Sequence, residues 1–388
     1  MNTLELYSDS ADHDMNRSVP VTDALLSALP NVTEPFADFD AAYEENPHAV
    51  FSQLHQSLYR IPTREGGPAI PMALLFDEES DPSKLHLVFT PFSDIAPQSY
   101  PKDTVNYLAI EKPSIGDKEY AAPNSWGAIL RAETARRVKA YYGSNVPHAV
   151  LFSPIPQKAY TAAERTQIKK EGDFSPAARL AKQMIKASAK ILHGSQTADF
   201  SRLTAEGASL GASNVIAASN VLLREGLPVE AVTAQELVMT DGLWGLKKGL
   251  ATRYTVRSIL GEPTEEGTPY TDFISEPKIR RDLDAHGSEP IGNIARMLRG
   301  MQFPSAPGLH GMSRPERMQD EVVELSEKLG EKLLVALAMN SAVSEVTRNF
   351  MDAKGLSYLH LRGVEGQKLG HIVNEALSLS TIVRALNR

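Results

Sequence analysis

Five residues near the middle of the chain, Gly207-Ala208-Ser209-Leu210-Gly211, set a serine between two glycines at G-x-S-x-G spacing. They lie between a strand-like run and a helix of small residues, where a tight turn forces the serine into backbone angles nearly forbidden to ordinary side chains. The glycines lack Cβ atoms, so the neighbouring backbone can approach and the turn can close. Such a turn lifts Ser209 Oγ to the top of a sheet. It also leaves the Leu210 N–H at a helix N-terminus, where it can hold a developing oxyanion.

A hydroxyl attacks a carbonyl at neutral pH only beside a base. Of the ten histidines, His13, His48 and His55 fall in or at the edge of an acidic lead. His86, His148 and His360 fall in or at the start of predicted strands, where structural, half-buried roles are expected. His193 closes a helix, where a cation is favourable in any case, and His286 and His310 lie in an inserted region. His371 follows Gly370 in a glycine-marked loop after the final strand, and it is the expected base, with His360 second.

The third group should be a carboxylate that accepts from the imidazole Nδ1–H. Glu345, six residues beyond the 334–339 apolar run, is favoured over Asp241, which closes the strand after the serine helix; Asp352 is a poorer third. Both leading acids also read as helix caps or solvated surface groups. An oxyanion needs two fixed donors. Phe92 N–H, in the turn after the third strand, is the expected partner of Leu210 N–H, because Pro91 has no N–H to give.

The elements that must position these groups follow from the apolar runs. Strands are predicted over 58–61, 70–76, 85–89, 148–152, 200–206, 229–239, 332–339 and 357–361. Helices are predicted over about 124–141, from the Thr161–Glu164 capping-box spacing to Gly172, from a Ser175 N-cap to Gly194, over 212–225, over 313–328 and over 372–386. Arg202 and Glu206 are unusual in a central strand. Alternating strands and helices imply α/β architecture: a mostly parallel central sheet covered by helices on both faces. The rhythm breaks at 241–312, where helical patterns follow one another without strands. The expected organisation is an acidic N-terminal arm over 1–56, a core in two parts over 57–240 and 313–388, and a helical cap insertion over 241–312.

The whole composition narrows the function classes. The chain has 388 residues, 42% hydrophobic and 23% charged, with a net charge of −8. Residues 1–60 hold ten acids against Arg17 and Arg60, so the rest is formally neutral. That distribution lacks the basic footprint of a nucleic-acid binder. No apolar run reaches the length of a membrane span, and the first residues lack a secretory pattern. The absence of cysteine excludes disulfides and thiolate metal sites, and fits a reducing, cytoplasmic compartment. Neither a zinc-protease helix motif nor a phosphate-binding glycine loop is present. The sequence does not fix the oligomeric state, and a homo-oligomer is compatible with it.

The Gly207–Gly211 elbow, the late Gly370-His371 and the order serine, acid, histidine resemble the α/β-hydrolase superfamily over about residue 57 to the end. The resemblance implies a serine hydrolase that cleaves an ester, thioester or amide in a small-molecule acyl substrate, with an acyl-enzyme intermediate and no cofactor or metal. The 241–312 insertion is similar to the cap many members carry. Two departures stand out: no aspartate follows the seventh strand closely, and the loop after the third strand lacks a His-Gly start. The rival expectations are an acyltransferase using the same groups and a non-catalytic binding or assembly module.

Overall fold

The computed structural model describes residues 58–64, 69–90, 145–151, 159–242, 306–338 and 345–361, with helical positions 132, 136 and 140. Eight strands form one sheet: β1 (Leu58–Pro62), β2 (Ala69–Leu75), β3 (Lys84–Phe89), β4 (His148–Leu151), β5 (Arg202–Ala208), β6 (Val229–Gln235), β7 (Leu333–Ala338) and β8 (Leu359–Leu361), in the order β1-β2-β4-β3-β5-β6-β7-β8. The β1–β2 and β2–β4 pairs are antiparallel, and all pairs from β4 to β8 are parallel. A mostly parallel sheet needs long crossovers. Helices α1 (Ala162–Glu171) and α2 (Ala177–His193), then α3 (Leu210–Arg224), α4 (Ala306–Met312) with α5 (Pro315–Leu329), and α6 (Glu345–Lys354) lie in those connections.

Strand residues alternate between faces, and the register sorts them cleanly. Leu87 lies opposite Ala149 and Ala205, and Ala205 lies opposite Val232. With Leu85, Phe89, Leu151, Ala234, Val335 and Leu337 they form one continuous buried cluster with Leu180 and Met184 of α2, Val215 and Ile216 of α3, and Val322 of α5. On the other face His86 lies opposite His148 and Thr204, and Glu206 lies opposite Thr233. His86, His148, Glu206 and Thr233 are buried too, and Thr204 is half-buried, but the cluster of the first face does not include them.

The two charged residues that looked unusual for a central strand each have a reason. Arg202 opens β5 beside a register shift, and its guanidinium meets Glu230 at 2.8 Å. Glu206 Oε2 lies 3.1 Å from His86 Nε2, with both side chains 2% exposed. His86 Nδ1 is 2.6 Å from Thr204 Oγ1, and the His86 and His148 ring centroids lie 4.4 Å apart with the planes tilted by 43°. His148 Nδ1–H donates to the Val146 carbonyl at 2.8 Å. His86 and His148 are therefore structural, as expected, though fully rather than half buried.

Helix α6 was not expected, and among the boundaries that differ from expectation three have a clear physical reason. β5 runs to Ala208 and α3 begins at Leu210, not Ala212, leaving Ser209 alone as the joint. β6 stops at Gln235, four residues before Met239. Continued alternation would set Glu236 on the apolar face beside Val232 and Ala234, so the backbone turns away instead. Ser175 is not the N-cap of α2: its Oγ accepts from Gln167 Nε2 at 3.3 Å, and the helix begins after Pro176 with no side-chain cap. The Thr161–Glu164 capping box does form, in both directions.

Helix α3 lies close on the sheet because Ala212, Ser213, Ala217 and Ala218 present little bulk. It is clamped to α5 by Asn220, whose Nδ2 donates to the Glu321 carbonyl at 2.7 Å and to Glu321 Oε2 at 2.6 Å. Burial pushes the Glu321 carboxyl up, although Asn220 and Arg317 oppose that shift. Helix α4, within the stretch assigned to the cap, packs against α1 and touches α3. The acidic arm over 1–56, the 243–305 part of that stretch and the closing helix over 372–386 lie outside the described residues.

Candidate active site

The serine turn has the expected strained geometry. Ser209 sits between the last residue of β5 and the first of α3 at φ 55° and ψ −118°, a region residues with side chains rarely enter. Its N–H donates to the Gln235 carbonyl of β6 at 2.9 Å, and its carbonyl accepts from Ala212 N–H at 3.0 Å. Ser209 is 3% exposed. A water-poor setting of this kind strengthens the electrostatic interactions on which acyl transfer depends.

Both glycines of the pentapeptide are required by close backbone contact. A Cβ on Gly207 would come within 2.1 Å of the Gly211 carbonyl oxygen. A Cβ on Gly211 would come within 2.1 Å of the Phe89 carbonyl oxygen and 2.9 Å of that of Thr90. The first contact closes the turn on itself. The second presses the start of α3 against the carboxyl end of β3, the strand end from which the second oxyanion donor was expected. Leu210 N–H belongs to the first helical turn, whose donors have no acceptor within the helix.

The remaining expected residues fall in different places. Leu210 is buried, and Gly308 of α4 lies so near that a Cβ there would be 2.7 Å from Leu210 Cδ1. Asp241 is exposed, beyond the buried segment that follows β6. Glu345 is exposed as the first residue of α6. Phe92 and His371 lie outside the described residues. Among the described residues no group of three His, Cys, Asp or Glu side chains could hold a metal ion, and no helix is long and apolar enough to cross a membrane.

Next to the Ser209 joint lies Glu236, which the sequence did not single out. It follows the last residue of β6, is fully buried and has φ 50°. The available signal was the adjacent polar pair Gln235-Glu236 inside an apolar run, which a strand buried on both faces does not accommodate. Beyond it, Leu237, Val238 and Met239 are buried without strand pairing. Thr347 of α6 secures them: its Oγ1 donates to the Leu237 carbonyl at 2.7 Å and accepts from Met239 N–H at 3.1 Å.

No protein-family model and no curated protein sequence matches the chain. Several solved structures are similar at low identity. An α/β-hydrolase enzyme from a Medee basin deep-sea metagenome library is 11% identical with a TM-score of 0.45, covering 84% of this chain and 97% of that one. A membrane phospholipase A described as a bacterial virulence factor is 12% identical with a TM-score of 0.42, covering 95% and 100%. MenH from S. aureus is 10% identical with a TM-score of 0.39, covering 80% and 96%. Likeness this distant says nothing of substrate and leaves the assignment to the chain's own geometry. A parallel sheet entered by an antiparallel hairpin, with a strained serine joining its central strand to a close-packed helix, is the α/β-hydrolase fold.

Proposed function

We propose that the chain is a serine hydrolase acting on an ester, thioester or amide of a small acyl substrate. The observation that carries this reading is the Ser209 joint: a strained serine at the carboxyl end of a central parallel strand, closed by two glycines that contact backbone directly. Strain of this kind costs stability and clusters at functional sites.

In this reading the Ser209 Oγ–H proton passes to the His371 imidazole as Oγ bonds to the substrate carbonyl carbon. Leu210 and Phe92 N–H groups hold the oxyanion that forms. The bond to the leaving group then breaks, and the imidazolium returns the proton to it. Water repeats the sequence on the acyl-enzyme and frees the acid. A carboxylate, Glu345 or Asp241 by sequence, orients the imidazole. No step needs a metal or cofactor, and the cysteine-free composition suits a cytoplasmic setting.

A fluorophosphonate probe tests the proposal directly. The full chain is expected to become covalently labelled and to hydrolyse p-nitrophenyl butyrate, and Ser209→Ala to lose both. Labelling that persists in Ser209→Ala removes this serine from the chemistry. If an added alcohol captures the acyl group in preference to water, the same groups serve an acyltransferase.

A further inference from the structure

We propose that Glu236, rather than Asp241 or Glu345, is the carboxylate that positions the base serving Ser209. The inference rests on the hydrolase reading above and names a residue within it. Among the described residues only two that are not glycine have positive φ: Ser209 at 55° and Glu236 at 50°. They are neighbours in space. Ala208 of β5 and Gln235 of β6 form the last paired rung of two adjacent parallel strands, and each strained residue is the next one along its chain. The hydrogen bond from Ser209 N–H to the Gln235 carbonyl, at 2.9 Å, ties the two departures together.

The setting suits a carboxylate with a positioning role. Glu236 is 0% exposed, and a buried carboxylate holds an imidazolium far better than one competing with water. Asp241 and Glu345 are both exposed. The expectation that an acid closes the strand after the serine helix keeps its logic; the strand ends at Gln235, so the acid there is Glu236.

The surroundings also hold the unfavourable backbone in place. Glu236 N–H donates to the Ala336 carbonyl of β7 at 2.7 Å, and Thr240 N–H donates to the Met312 carbonyl at 3.2 Å. Between them, Thr347 grips Leu237 and Met239. Glycine at this position would relieve the strain.

The test compares p-nitrophenyl butyrate hydrolysis and fluorophosphonate labelling across Glu236→Gln, Glu236→Asp and Glu236→Gly in the full chain. Glu236→Gln is expected to lower kcat/KM by about 10³–10⁴-fold. Its acid limb should move to lower pH, because an imidazole that loses its carboxylate is less basic. Glu236→Asp should recover part of the rate. Glu236→Gly should keep or raise Tm while losing activity, which keeps the test sound even where the glutamine variant folds badly. Glu236→Gln within a few-fold of the parent, with Ser209→Ala inactive, overturns this inference alone; losses in Asp241→Asn or Glu345→Gln would then name the acid. Loss of rate with an unmoved limb and no recovery in Glu236→Asp also overturns it, marking a structural residue. A parent chain that neither hydrolyses the ester nor labels at Ser209 overturns the hydrolase reading and this inference together.

Discussion

On one face of the central strands Leu85, Leu87, Phe89, Ala205 and Val232 meet three helices through apolar contacts alone. On the other, a single backbone's thickness away, His86, Thr204 and Glu206 meet one another through polar atoms at 2.6–3.1 Å. The first face is built from many interchangeable contacts, each weak and none directional. The second depends on a few groups that must all be present, because a buried polar group without its partner is costly. The same two strands, β3 and β5, therefore carry a tolerant layer and an intolerant one. The intolerant layer lies directly before the elbow: Glu206 precedes Gly207.

The contrast can be broken most sharply at the polar pair. Glu206→Leu should destabilise the chain by about 3–5 kcal/mol, since it leaves His86 buried beside an apolar side chain. Adding His86→Leu to that variant should restore part of the loss, so the double variant is more stable than Glu206→Leu alone. Denaturant unfolding of the three chains reads this coupling; strictly additive losses would mean that the two faces do not differ in kind. On the apolar face, Leu87→Ala is expected to cost about 2–4 kcal/mol. It should add independently to Leu325→Ala on the far helix, a pair measured in the same way.

The smallest effect belongs to a charge pair at the rim. Burial alone would raise the Asp77 carboxyl, but Arg136 at 2.6 Å, with Asn145 and Ser80, outweighs it and holds the group down from 3.8 to about 2. A group depressed in the folded chain stabilises it above the unfolded value and loses that contribution as pH falls from about 4 through 2. Asp77 is partly exposed, so solvent screening limits the effect to under about 1 kcal/mol. Asp77→Asn should flatten the acid side of a stability–pH curve by that much, leaving a far smaller mark than Glu206→Leu leaves at neutral pH.

The order of the strands was legible because each buried strand is a short apolar run between turn residues, and α1 and α2 carry their own stops, Gly172 and Gly194, in left-handed backbone; α6, Glu345–Lys354, was not expected. The serine joint was legible for a related reason: its glycines meet backbone, a requirement that local sequence expresses. What escaped depends on partners distant along the chain. Glu206 looked out of place in β5 because its partner, His86, is on β3. The end of β6 was set too late because residues 237–239 are as apolar as a strand, and only the face that Glu236 would occupy forbids continuation. Ser175 looked like a cap, but its hydroxyl accepts from Gln167 on the preceding helix.

The close approach of Gly211 to the Phe89 carbonyl gives the serine's surroundings two walls of unequal stiffness. Toward β3 the spacing is set by one main chain resting on another, which can neither rotate nor yield. Toward α4 the corresponding contact is made by the branched end of Leu210 against a glycine, Gly308, and a leucine can change rotamer. Added volume at Gly308 would therefore be taken up by a turn of the Leu210 side chain, whereas added volume at Gly211 would have to push main chain against main chain.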